Sequence, residues 1–147
     1  MWRAPTALGA NMTGVWVLLG AVLVAVAAGL VLRARNGKLR KARATALPPK
    51  VTELIDPAAR VTLLQVSTQF CAPCKHAATA LKALANDLDG VHHVDLDVTD
   101  EPQLAERLNV LSTPTTLALT HQGTELFRFS GLPRVGELTD RLTGHAH

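Results

Sequence analysis

The chain has only two cysteines, Cys71 and Cys74, and they stand two residues apart in the stretch FCAPCKHAATALKAL (70–84). Three chemistries use such a pair: metal ligation, a structural crosslink and thiol–disulfide exchange. Zinc wants about four nitrogen or sulfur ligands, and the pair supplies two. His76 is poorly directed from the same stretch, His92 and His93 lie far along the chain, and His145 and His147 stand at its end. Taken singly, each histidine reads as a surface residue. Covalent haem attachment wants a histidine directly after the second cysteine, where Lys75 stands. A structural disulfide across two residues closes so short a loop that it removes little unfolded-state entropy, and in a cytoplasm-facing domain it would be kept reduced. Neither a metal nor a cofactor is assigned, and exchange fits the pair best.

The elements around the pair decide how it is presented. VTLLQVS (61–67) is a nearly continuous apolar run of strand length, as expected for a strand covered on both faces. Beyond it, apolar side chains recur at Cys74, Ala77, Ala78, Leu81, Leu84, Ala85 and Leu88, with Lys75, Thr79, Lys82 and Asn86 opposite. That spacing predicts a helix with Pro73 at its start and Gly90 at its end. Cys71 then stands at a helix N-terminus, where unpaired N–H groups and the helix dipole favour an anion. Such a place lowers a thiol's pKa. Cys74, about one turn further on, faces the core. The first thiol is placed as nucleophile and the second as the resolving group.

The remaining patterns complete the order. VHHVDLDV (91–98) alternates, with Val94, Leu96 and Val98 on one side and His93, Asp95 and Asp97 on the other. DEPQLAERL (100–108) predicts a helix with Asp100 as N-cap and Pro102 in the first turn. TTLALTH (115–121) and TELFRFS (124–130) flank Gln122-Gly123, a tight hairpin signal, and Val135, Leu138 and Leu142 make a short last helix. Strand, helix, strand, helix, hairpin, helix implies an α/β mixed sheet with helices on its faces.

FCAPCK after a strand, STPT at 112–115 and Gly131 after the hairpin resemble the thioredoxin family over roughly residues 60 to 144. The resemblance implies a thioredoxin-like sheet and thiol–disulfide exchange with protein substrates, fed by a reductase or other redox partner. It also implies a cis bond at Pro114, in a loop beside the redox pair, with Thr113 contacting the partner. Phe70, Ala72 and Pro73 would share that substrate-binding surface. The departures are specific. Phe70 stands where the family commonly has Trp, and Ala72 where it has Gly. Gln65 replaces the buried acid that relays a proton to the resolving thiol, and Asp95 replaces a frequent lysine on the next strand. One acid lost and one gained makes Asp95 a candidate relay; the plain alternative is an edge aspartate. VTELIDPAA (51–59) is too short for the family's usual first strand and full first helix, so the sheet is expected to be trimmed at its N-terminal edge. An interaction module with little or no redox turnover is the alternative function.

Residues 14–32, GVWVLLGAVLVAVAAGLVL, carry no charge, and a helix of that length comes close to the roughly 30 Å of a bilayer's hydrocarbon. A short tail at 1–12, a membrane helix at 13–32, a basic juxtamembrane linker at 33–50 and a domain at 51–147 follow. The linker holds Arg33, Arg35, Lys38, Arg40, Lys41 and Arg43 without an acid. That cluster argues against a cleaved signal and predicts an outside amino terminus and a cytoplasmic domain, the extracytoplasmic arrangement being the alternative. Residues 33–43 would lie against anionic lipid, each cation contributing about 1 kcal/mol near the surface. Residues 51–147 carry seven cations and twelve acids, a net of −5. The chain's high pI therefore belongs to the basic strip and gives no reason to expect nucleic acid as a partner.

Overall fold

The structure, a computed structural model, describes residues 8–35, 39–41 and 46–144. It forms two units, the first ending at Arg35 and the second beginning after it. The first unit is one helix, α1 (Leu8–Arg35), of 28 residues. From residue 14 to 32 it is apolar all round, so that stretch has no polar face to turn to water; Trp16, Leu23 and Leu32 stand exposed on it, and Arg33 and Arg35 lie in its last turn. Its part from Met12 to Arg35 is long and apolar enough to cross a membrane.

The second unit runs β1 (Arg40–Lys41), α2 (Pro49–Thr52), β2 (Val61–Ser67), α3 (Ala72–Asp87), β3 (Val91–Asp97), α4 (Pro102–Arg107), β4 (Thr115–Thr120), β5 (Glu125–Ser130) and α5 (Val135–Gly144). The sheet order is β1-β5-β4-β2-β3. β2 and β3 are parallel, from Val61↔Val91 to Ser67↔Asp97, and β4 and β5 are antiparallel. Every residue of β2 is buried, because β2 is central and covered on both faces. Val61 and Leu63 face Leu81 and Leu84 of α3 and Leu138 and Leu142 of α5. Leu64 and Val66 face the opposite layer, with Val51, Ile55, Leu104 and Leu108.

This is the mixed sheet the sequence pattern predicts, trimmed as expected: α2 and a turn occupy the stretch before β2, and β3 is left at one edge. At the other edge, Arg40 and Lys41, from the stretch read as linker, pair with Arg128 and Phe127. Pro49 opens α2 rather than preventing a helix, since the first helical position needs no N–H. The N-cap of α4 is Glu101 rather than Asp100, because Pro102 is the first helical residue; Glu101's carboxylate pairs with Lys50 instead of capping. The hairpin turn lies at Gln122-Gly123, with Gly123 at φ 81°, a left-handed conformation that glycine adopts without steric cost.

One buried ion pair has no counterpart in the sequence pattern. Arg128 donates from Nε to Glu125 Oε1 (2.6 Å) and from Nη2 to Glu125 Oε2 (2.5 Å). Its Nη1 donates to the carbonyls of Leu108 (2.9 Å) and Asn109 (3.4 Å). The pair thereby anchors the segment leaving α4, where Asn109 has φ 53°, to β5. Replacing one member strands a buried charge. Arg128→Met in the full-length chain is expected to cost about 3–5 kcal/mol, read as a lower urea midpoint by pulse proteolysis. Glu125→Leu/Arg128→Met, which removes both charges, should recover part of that loss.

Candidate active site

β2 ends at Ser67 and α3 begins at Ala72, so the Thr68–Cys71 turn hangs the first cysteine at the helix entrance. Cys71 is the N-cap, partly exposed, and its Sγ accepts the N–H of Cys74 at 3.2 Å. Pro73 lies in the first turn and is exposed, as is Ala72. Cys74 is 3% exposed. A disulfide joins the two, with Cα atoms 5.2 Å apart. The asymmetry expected from the sequence is present: an outer sulfur at the amide-rich helix end and an inner one under cover.

The turn before Cys71 is fastened to the loop after β3. Val98 donates its N–H to Ser67 O at 3.0 Å, and Gln69 donates its N–H to Thr99 Oγ1 at 2.9 Å. Asp97 Oδ1 accepts both the N–H and the hydroxyl of Thr99, at 2.8 and 2.5 Å. Those bonds, led by the hydroxyl's, hold the Asp97 carboxyl below its ordinary pKa.

Beneath α3 lies a polar group inside an apolar layer. Gln65 is fully buried; its Nε2 donates to Cys74 O at 2.9 Å and its Oε1 meets His93 Nε2 at 3.1 Å. His93, read from sequence as a surface histidine, is half-buried, because its strand face turns toward α3. Burial is the main cause of its lowered pKa; Asp95 opposes the shift, and His92 and Lys82 add to it. Asp95 is exposed and accepts the hydroxyl of buried Ser67 at 2.5 Å. A cleft of about 390 Å³ is lined by Ser67, Cys71, Cys74, Lys75, Asp95 and Asp97, among others. It brings Asp95 to the same opening as both cysteines.

Thr113 and Pro114 do not line that cleft. They lie at the same end of the sheet, since Thr115 pairs with Val66 just before the turn that carries Cys71. The Thr113–Pro114 bond is cis. Pro114 is buried and its carbonyl accepts the N–H of Gly131 at 2.7 Å, while Thr113 is half-exposed. Phe70, beside the first cysteine, is 89% exposed.

The thioredoxin profile matches residues 48–143. The chain belongs to the thioredoxin family. A thioredoxin of Chlamydia trachomatis is 33% identical over 88 residues, which cover 60% of this chain and 85% of that one. A thioredoxin of Staphylococcus saprophyticus is 38% identical over 58 residues, 39% of this chain and 56% of the relative. Among solved structures, Fasciola hepatica thioredoxin superposes with a TM-score of 0.54 at 28% identity, covering 65% of this chain and 90% of that one. The profile match leaves α1 outside it. With the family and the intact Cys-x-x-Cys pair goes thiol–disulfide oxidoreductase activity.

The thioredoxin residues that sequence reasoning missed are the supports: His93, Ser67 and Thr99. A signal for His93 was present, since it shares a strand face with Asp95 and Asp97. Removing the Thr99 hydroxyl tests the fastening of the turn. In Thr99→Ala, the Asp97 pKa should rise toward the ordinary carboxylate value in an NMR titration, and the Gln69 amide should exchange faster. The sign is that of a depressed acid: the Asp97 contribution is present above its unfolded pKa and lost as pH falls through the folded one.

Proposed function

We propose that this chain is a membrane-tethered thiol–disulfide oxidoreductase acting on protein partners at the bilayer surface. The observation that carries the reading is the Cys71–Cys74 disulfide at the start of α3, one sulfur partly exposed and the other buried. In the reducing direction the Cys71 thiolate attacks a substrate disulfide. A Cys71–substrate S–S bond forms, the substrate S–S bond breaks, and the leaving thiolate takes up a proton. Cys74 gives up its proton and attacks the Cys71 sulfur, restoring the internal disulfide and releasing the second substrate thiolate. Two electrons pass from the dithiol to the substrate, and a reductase returns them.

The N–H of Cys74 supports Cys71 as the attacking group, because an amide directed at Sγ stabilises the thiolate. Asp95 is the proton acceptor for Cys74 in this scheme, its place on the shared cleft being the support. Thr113 and Pro114 offer backbone to an extended substrate segment, and Phe70, Ala72 and Pro73 form the rim it meets. The apolar α1 and the cations that follow it support a single span with the domain inside, and residues 33–43 drawn to anionic head groups.

Full-length protein in detergent should reduce insulin, and Cys71→Ser should abolish the activity. Cys74→Ser should accumulate a mixed disulfide visible on a non-reducing gel. Asp95→Asn should slow exchange by roughly a hundredfold, the low end for an acid–base group; an unchanged rate removes Asp95 from the scheme. A membrane-impermeant maleimide should label reduced Cys71 only after cells are permeabilised. Labelling of intact cells would reverse the orientation.

A further inference from the structure

The hydrogen bonds beneath α3 have only one possible polarity. Cys74 O is a carbonyl and can only accept, so the Gln65 amide must present Nε2 to it, at 2.9 Å. Gln65 Oε1 is then the atom facing His93 Nε2 at 3.1 Å, and an amide oxygen can only accept. His93 Nε2 therefore carries a hydrogen whenever this bond is made, and Nδ1 is the nitrogen that titrates. Gln65 takes and gives no proton; it is a rigid link between an ionisable ring on β3 and the main chain of the inner cysteine.

We propose that His93 is a positioning residue which, through Gln65, couples its own protonation to the ionisation of the Cys71–Cys74 dithiol. Three observations support the coupling. Gln65 is fully buried and both bonds lie beneath α3, where a charge is less screened than at the surface. The link ends on the helix turn that carries the N–H directed at Cys71 Sγ. His93 is half-buried and held mainly neutral near pH 7 by that burial, so its charge is not permanent and appears on acidification. The groups facing it are Asp95 and His92 from its own strand and Lys82 from α3, with neutral Gln65 from β2. Of these, Asp95 favours the imidazolium, while His92 and Lys82 oppose it.

The sign follows from charge. An imidazolium at His93 favours a thiolate in the dithiol, and by linkage a thiolate favours the imidazolium. As pH falls through the His93 ionisation, the thiolate fraction should fall less steeply than a single thiol ionisation predicts. The inference deepens the oxidoreductase reading and rests on it for its relevance, but its readout does not require turnover.

The test is the pH dependence of Cys71 alkylation by iodoacetamide, on the reduced full-length protein in detergent, from pH 4.5 to 9. The wild-type profile should show the thiol ionisation and a second inflection below pH 6.5, the ordinary histidine value from which His93 is lowered. His93→Gln, which keeps a donor but cannot titrate, should erase the second inflection. It should also slow alkylation at pH 5 by about two- to tenfold, the size of one charge's effect in partly wet protein. Gln65→Met should shrink the inflection to what the imidazolium exerts through space, while His93 still titrates by NMR; an undiminished inflection overturns the coupling through Gln65. His92→Gln, on the exposed neighbour, should keep the second inflection and move it to higher pH, since one group that opposes the His93 imidazolium is gone. A wild-type profile with one ionisation only, or an inflection that survives in His93→Gln or vanishes in His92→Gln, overturns the proposal. Loss of insulin reduction with the inflection intact would instead remove the turnover reading and leave this one standing.

Discussion

The register of α3 is the constraint on which the site depends. One residue of helix turns the chain by about 100°, so the spacing of Cys74 from the apolar residues of α3 decides that it looks in, while Cys71 stays outside the helix as its N-cap. With Cys71 as N-cap and Pro73 in the first turn, Cys74 falls on the stripe that continues through Ala77, Leu81 and Leu84 into the sheet-facing core. One residue inserted between Cys74 and Ala77 would carry Cys74 off that stripe and out of the core. The stripe itself is held by Val61 and Leu63 beneath it, so the unevenness between the two sulfurs is a property of the core. The packing that makes β2 wholly buried also fixes the chemistry at its end.

Gln65 changes the economy of that region. Burying a carboxylate costs far more than burying an amide, unless the charge is paired or the group is protonated. An amide, however, cannot relay a proton, and both its ends must be satisfied. Here they are, by a carbonyl on α3 and a ring on β3. Ionisable groups have moved one strand toward the sheet edge, where His93 is half-buried and Asp95 is exposed. The trimmed sheet allows this. With β3 at the edge, its polar face reaches solvent and can keep charges that a central strand could not.

The sequence disclosed the elements more fully than the supports between them. The apolar run at 61–67 and the 3.6-residue stripe from Cys74 are local signals, and each matched an element within a residue or two. Asp95 stood out because its type was unexpected at its place, and it does reach the cleft of the cysteines. His93 did not stand out, since its partner Gln65 lies 28 residues away and only the strand register brings them together. Likewise Pro48-Pro49 reads locally as a break, whereas a proline at the first helical position opens a helix, as Pro49 does. Nothing in the local pattern of TELFRFS marks Arg128 and Glu125 as a buried pair. They are buried because the segment leaving α4 crosses over them and offers two carbonyls to the guanidinium.

That crossing matters beyond stability. The chain has only a few residues between Asn109, tied to Arg128, and Thr113-Pro114, tied through Gly131 to the end of β5. Arg128 lies on β5 and Gly131 directly follows it, so β5 fixes the two ends of the proline loop. A buried ion pair often contributes little net stability compared with apolar side chains of the same size. Its use here is geometric: a planar guanidinium accommodates a carboxylate and two carbonyls at fixed angles, which apolar packing does not specify. The orientation of the proline loop is thus set from behind, by β5, while the cysteines are set from below, by β2. β4 lies between the two strands, and its register with both keeps the proline loop and the cysteine turn in step.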